Sequence, residues 1–190
     1  MKDYDDSELK EIYLKVVKKF PGMKEEGITP MRHEGGNFII CITTPPPYLR
    51  YSMKSELIAG ILFENFTYKE KEAIIAHELG HYEQSDKNQN NIRFLRQRAW
   101  DEDYNLHKRF RLFYKVAGLF SKKIKHKDER LKKRYLLAEI YADNKAAEAG
   151  YKEDLVSALK KILSLYAFSV DTREKINIRI KNLEEKLNGQ

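Results

Sequence analysis

The run His77-Glu78-Leu79-Gly80-His81 constrains this chain more than any other stretch, because it makes sense only on a helix. Histidines four residues apart project from one helix face, since four steps of about 100° return to within about 40° of the start. Both imidazoles can then reach one metal ion. Glu78 stands at a different angle, where it can contact a water on that ion without ligating the ion itself. The local sequence supplies the helix: Thr67-Tyr68-Lys69-Glu70 has the Thr-x-x-Glu form of a capping box, so a helix is expected to begin there and run to about Gln84. The plain alternative is two ordinary helix histidines, one partly buried and one exposed.

A catalytic zinc takes three protein ligands and leaves its fourth position to water. Cys41 is the only cysteine, so the ligands must be His and carboxylate. The other histidines are His33 in a Gly-rich turn, and His107 and His126 in a basic segment, none with a recognisable partner. Glu139, in Ala138-Glu139-Ile140-Tyr141-Ala142-Asp143, is the sharper candidate. It lies beside the apolar stripe of its helix, where a buried carboxylate is costly unless a cation neutralises it. Asp143 follows one turn later, placed to accept the remaining ring N–H of a zinc histidine and hold its orientation. The alternative is two solvent-facing acids, Glu139 paired with Arg134 and Asp143 with Lys145.

The surrounding pattern is that of an α+β, mostly helical chain. Leu9, Ile12, Tyr13, Val16, Val17 and Phe20 recur at helical spacing from about Ser7 until Pro21-Gly22 ends the pattern. A polar stretch then leads to a strand over Asn37–Thr43, stopped by Pro45-Pro46-Pro47, with a second apolar run from Leu57 to Phe63 as its partner across a long loop. A helix over Lys127–Ala149 carries Leu131, Tyr135, Ala138, Ala142, Ala146 and Ala149 on one stripe, and Gly150 suits a left-handed cap. Two shorter helices follow. The first has Leu155, Val156, Leu159, Ile162, Leu163 and Tyr166 as its core face; the second opens at Asp171 and turns Ile176, Ile180, Leu183 and Leu187 inward. One domain over 1–190 is expected: an N-terminal helix and loop to 36, a metal-binding core over 37–150 with the small sheet packed on the HELGH helix and the glutamate helix, and C-terminal helices over 151–190.

Charge narrows the setting. No apolar run approaches the roughly 20 residues that span a bilayer, and the acidic start Met1–Asp6 lacks the form of a secretory signal, so a cytoplasmic protein is expected. The net charge of +7 is uneven: Ile92–Arg134 holds fifteen Lys and Arg against five acids. That segment offers a surface to nucleic acid, an anionic membrane or an acidic polypeptide, the bland alternative being a solvated helical face.

An HExxH helix followed by a helix bearing Glu-x-x-x-Asp resembles the gluzincin peptidases, and the details look most like the M48 family, the HtpX and CAAX prenyl protease type. Four segments carry the likeness: Glu70–Ala76 before HELGH, Glu139–Tyr151, Leu155–Leu163, and Arg179-Ile180-Lys181-Asn182-Leu183, which resembles an Arg-Ile-x-x-Leu ending. Typical members carry transmembrane segments around these motifs, whereas Tyr82–Ala138 here is strongly charged. What remains resembles the soluble minigluzincins, with a zincin-like fold. ImmA/IrrE-type peptidases share HELGHY and a later Glu-x-x-Ala-Asn/Asp but have a shorter gap and a Leu-Leu-Met-Pro-like sequence absent here. Peptide deformylase fits poorly, because no Glu-Gly-Cys surrounds Cys41.

The resemblance and the residue chemistry imply one activity, a zinc-dependent endopeptidase. His77, His81 and Glu139 would hold a single Zn2+, Glu78 would serve as general base toward a metal-activated water, and Asp143 would orient a ligand. An edge strand over Asn37–Thr43 or Leu57–Phe63 would pair with an extended peptide or unfolded polypeptide. The oxyanion would fall to Tyr135, Tyr141, His107, His126 or Arg179. Two rivals stand beside this reading: a zinc-containing regulatory or binding protein, ImmA/IrrE-like, acting through the basic segment, and a latent enzyme whose N-terminal or C-terminal helix covers the cleft or whose Cys41 blocks the zinc.

Overall fold

The computed structural model describes residues 6–33, 39–43, 55–87, 121–165 and 169–185. Contacts divide the chain into two compact units, 1–83 with 139–190, and 84–138. The first holds the sheet, the HELGH motif, Glu139 and the C-terminal helices. Helices dominate and the sheet is small, so the fold is α+β and mostly helical. Among the described residues no helix is long and apolar enough to cross a membrane.

Helix α1 (Ser7–Val17) buries Leu9, Ile12, Tyr13, Val16 and Val17, the stripe expected from their spacing, and Phe20 joins them. The chain then turns at Gly22, whose φ of 89° favours a residue without a Cβ. Strand β1 (Ile28–His33) follows, in a stretch whose composition predicts only a polar connection. Its sequence lacks alternation and contains Pro30, which a strand tolerates best at a sheet edge. What makes it a strand is its partner: it runs parallel to β3 (Ser55–Gly60), from Ile28 opposite Ser55 to His33 opposite Gly60.

Strand β2 (Ile40–Thr43) matches the later part of the expected Asn37–Thr43 strand, Asn37 and Phe38 lying outside the described residues. It pairs antiparallel with β3, from Ile40 opposite Ala59 to Thr43 opposite Glu56. The expected Leu57–Phe63 strand is corrected in extent and in place. It starts at Ser55, buries Ser55, Leu57 and Ala59 in alternation, and gives way at Ile61 to a 3-10 turn (Ile61–Asn65) that buries Phe63. An unbroken apolar run has no period to mark where extended backbone ends. The sheet order is β1-β3-β2, so β3 is central and cannot be the edge strand that the sequence allowed; among the described residues β2 is at an edge.

The other edge is tied down. The Arg32 backbone N–H donates to Asp6 Oδ1 at 3.1 Å, while the Arg32 guanidinium pairs with Glu8 at 2.9 Å and with Glu64. Lys71, 6% exposed, joins the same two carboxylates at 3.0 and 3.1 Å. Two cations shared between two anions thus lock α1 and β1 to the start of α2 (Tyr68–Lys87).

The capping box forms as its sequence predicts: the Glu70 N–H donates to Thr67 Oγ1 (3.3 Å) and the Thr67 N–H to Glu70 Oε2 (2.8 Å). Glu70 also accepts from Ser157 Oγ (2.8 Å) and Lys161 Nζ (3.1 Å) of α4 (Lys152–Leu165), so one carboxylate both starts α2 and docks a second helix. From Glu70 to His81 every residue of α2 is buried except Glu78. A helix so enclosed is the centre of its unit.

Helix α3 (Ser121–Glu148) begins earlier than the expected Lys127 and ends on Gly150, φ 86°, where Gly150 N–H donates to Ala147 O (2.9 Å) and Tyr151 N–H to Ala146 O (3.0 Å). This is the Schellman arrangement, and its αL residue is the glycine expected there. Helix α5 (Val170–Glu185) buries Ile176, Ile180 and Leu183 as their spacing requires, Leu187 lying outside the described residues. Its cap is Ser169, whose Oγ accepts from the Thr172 N–H (3.3 Å), rather than Asp171, whose carboxylate pairs with Lys175 one turn on at 2.7 Å.

Ile75 is fully buried in α2, whereas Ile61 is 54% exposed. Ile75→Ala should therefore lower the unfolding free energy by about 2–5 kcal/mol in urea titrations, and Ile61→Ala by no more than about 0.5 kcal/mol. Equal losses would contradict this account of the core.

Candidate metal centre

The centre exists because α2 and α3 come unusually close. A Cβ built on Gly80 would lie 2.9 Å from both Cα and O of Ala142, closer than real side chains approach backbone, and a tight 3.1 Å from Lys145 Cβ. Only glycine permits this approach. The contact brings Glu139 and Asp143, which flank Ala142 on α3, against the histidines of α2.

His77 Nε2 and His81 Nε2 lie 3.1 Å apart, their rings nearly perpendicular at 84°. Glu139 closes the triangle, Oε2 at 3.3 Å from His77 Nε2 and Oε1 at 3.2 Å from His81 Nε2. A tetrahedral zinc ion with nitrogen and oxygen ligands at about 2.0–2.2 Å separates neighbouring ligand atoms by roughly 3.3 Å. The three side chains fit that requirement, and they can hold a metal ion. Their softness does not single out zinc, since imidazole and carboxylate also suit other divalent first-row metals.

Asp143 is fully buried behind the triangle, with Oδ1 at 2.8 Å from His77 Nδ1. Arg179 of α5 grips it with two bonds, Nε to Oδ2 and Nη2 to Oδ1, each 2.7 Å, and reaches Glu139 Oε2 through Nη1 at 3.0 Å. Against the alternative of two solvent-facing acids, Glu139 faces His77, His81 and Arg179, Asp143 faces His77 and Arg179, and Lys145 pairs with Glu148.

Burial opposes charge on all these groups, and their partners decide the outcome. For Glu139 burial pushes the pKa up, but hydrogen bonds from His77 and His81 and the charge of Arg179 hold it well below the usual carboxylate range. Asp143 is lowered against burial by bonds from Arg179 and His77. The histidines part company. His77 loses from burial and from Arg179 yet gains two carboxylate partners, and rises to about 9; His81 is lowered by burial, which its single contact with Glu139 does not offset. Two imidazolium rings with nitrogens 3.1 Å apart would repel, so the proton goes to the ring that also has Asp143.

The structure therefore brings His77, His81, Glu139 and Asp143 together. Glu78 is the half-exposed residue of the enclosed α2 segment, near enough for its charge to act on His81 and Arg179. Arg179, named from sequence in the Arg-Ile-x-x-Leu segment and among groups that might meet an oxyanion, is engaged by Asp143 and Glu139. Its signal was present: it sits on the stripe of Ile176, Ile180 and Leu183, where a basic side chain needs buried anions. His107, most of the basic segment, and the side chains of His33, Cys41 and His126 lie outside the described residues. Comparison with protein families, with characterised proteins and with solved structures finds no match for this chain.

Gly80→Ala should force α2 and α3 apart and weaken metal retention at least about tenfold in chelator competition, as loss of ligand support typically does; unchanged retention would contradict the close-approach argument. Metal uptake should also release a proton. Below pH about 9 the metal-free His77 carries it, so affinity should fall about tenfold per unit of acidification from this group and level off above pH 9. Calorimetry in buffers of different ionisation heat checks this, and a buffer-independent heat at pH 7 would refute it.

Proposed function

We propose that this chain is a zinc-dependent endopeptidase of the gluzincin kind, with a zincin-like arrangement of sheet, HELGH helix and glutamate helix. The observation that carries the reading is the convergence of His77, His81 and Glu139 beside Glu78, the one accessible residue in an otherwise enclosed helical segment. The likeness of HELGH and of Glu139–Tyr151 to M48 motifs supports the same assignment.

His77, His81 and Glu139 would hold the ion, which would supply Lewis acidity toward the scissile carbonyl and the attacking water. The protein does the rest. Glu78 takes the proton as the water oxygen bonds to the carbonyl carbon, and returns it to the amine as the C–N bond breaks. Asp143 keeps the His77 ring in place through Nδ1, so that Nε2 would be available to a bound ion. Strand β2, at the edge of the sheet, is the place where an extended polypeptide can add main-chain hydrogen bonds, a mode that reads backbone more than side chains. The β1 edge is the poorer choice, because Asp6 already takes the Arg32 N–H. Unfolded polypeptides are the substrate class that follows, and the cytoplasm is the compartment this reading favours.

Glu78→Gln keeps the side chain's size and removes the base. It should retain one zinc per chain while cleavage of an unfolded substrate such as casein falls about 10²–10⁴-fold. Undiminished cleavage would sink the assignment of Glu78, and loss of zinc would show that Glu78 belongs among the ligands.

A further inference from the structure

Arg179 stands in α5, on the stripe of Ile176, Ile180 and Leu183 that packs inward, and its side chain is 12% exposed. Taking a guanidinium out of water costs several kcal/mol, and an apolar side chain of similar length would cover the same helix without that cost. Packing alone gives no reason for a cation at this position.

Its geometry does. One planar fork reaches two carboxylates a turn apart on α3. Both oxygens of Asp143 are taken, at 2.7 Å each, which fixes the carboxylate plane and leaves Oδ1 aligned with His77 Nδ1 at 2.8 Å. The third contact, Nη1 to Glu139 Oε2 at 3.0 Å, bears on the same oxygen that faces His77 Nε2 at 3.3 Å. A lysine ammonium is a point charge and cannot satisfy these directions together.

We propose that Arg179 is a positioning residue of the metal centre: it sets the orientation of Glu139 directly and that of His77 through Asp143, making the C-terminal helix part of the coordination apparatus. The proposal rests on the metal-binding reading above. Its consequence is that metal affinity and coordination geometry depend on the guanidinium fork itself, beyond the docking of α5. Asn182, which donates to Asn144 Oδ1 at 3.3 Å, provides the control, since it joins the same two helices without touching a ligand.

The test uses Co2+, whose visible absorption reports the geometry of its ligands, on the full chain in competition with a chelator. Arg179→Lys should lower Co2+ affinity about 10–100-fold and alter the position and intensity of the absorption bands, whereas Asn182→Ala should leave both unchanged. If Arg179→Lys does not fold, Asp143→Asn removes the same grip from α3 and should produce the same two effects. Wild-type affinity and spectrum in Arg179→Lys would overturn the proposal, as would an equal effect of Asn182→Ala, which would reduce Arg179 to a helix-docking contact. Failure of the unmodified protein to bind Co2+ at all is a different result: it removes the metal reading, and this proposal with it.

Discussion

Where α2 passes α3, Gly80 lies against the backbone of Ala142 with no room for a methyl group, and much of the molecule is arranged around that contact. Helices carrying ordinary side chains pack about 8–10 Å apart. At this crossing, removing the side chain from one of them lets carboxylates of α3 reach imidazoles of α2 within hydrogen-bonding distance. Without that approach Asp143 and Arg179 would keep each other, but His77 would lose Asp143, and Glu139 would lose both imidazoles. The packing and the charge network thus require one another.

The rest of the unit holds α2 in place for this encounter. Glu70 closes the capping box and takes Ser157 and Lys161 of α4; Lys71 joins Glu8 and Glu64; Ala73, Ile74, Ile75, Ala76 and Leu79 fill the space around the helix. The result is a helix enclosed from Glu70 to His81, in which Glu78 is the residue left partly exposed. A site that holds a metal ion needs such support from its surroundings together with access for water and a substrate.

Much of this can be read from the residues, for identifiable reasons. His77, His81 and the Thr67–Glu70 cap are local patterns whose geometry follows from helix pitch, and the αL glycine at 150 follows from the lack of a Cβ. Glu139 and Asp143 could be singled out because acids near an apolar stripe need a cation. The same rule applied to Arg179 would have pointed to Asp143, although which helix it meets is a tertiary fact. Strand β1 was not legible: Thr29-Pro30-Met31-Arg32 has no strand pattern, and its pairing with Ser55–Gly60 is a long-range contact. Nor was the central place of β3, which follows from β1 alone. Gly80 occupies one of the two variable positions of HExxH, so its necessity appears only when Ala142 is seen against it.

The central claim is that two imidazoles from one helix and a carboxylate from another share one ion. Zinc X-ray absorption on protein equilibrated with one equivalent of the metal addresses it directly. The account predicts two imidazole ligands and oxygen donors at about 2.0–2.2 Å, with no sulfur shell. A sulfur shell near about 2.3 Å would move the ion to Cys41, and a spectrum of unbound aqueous zinc would contradict the centre altogether.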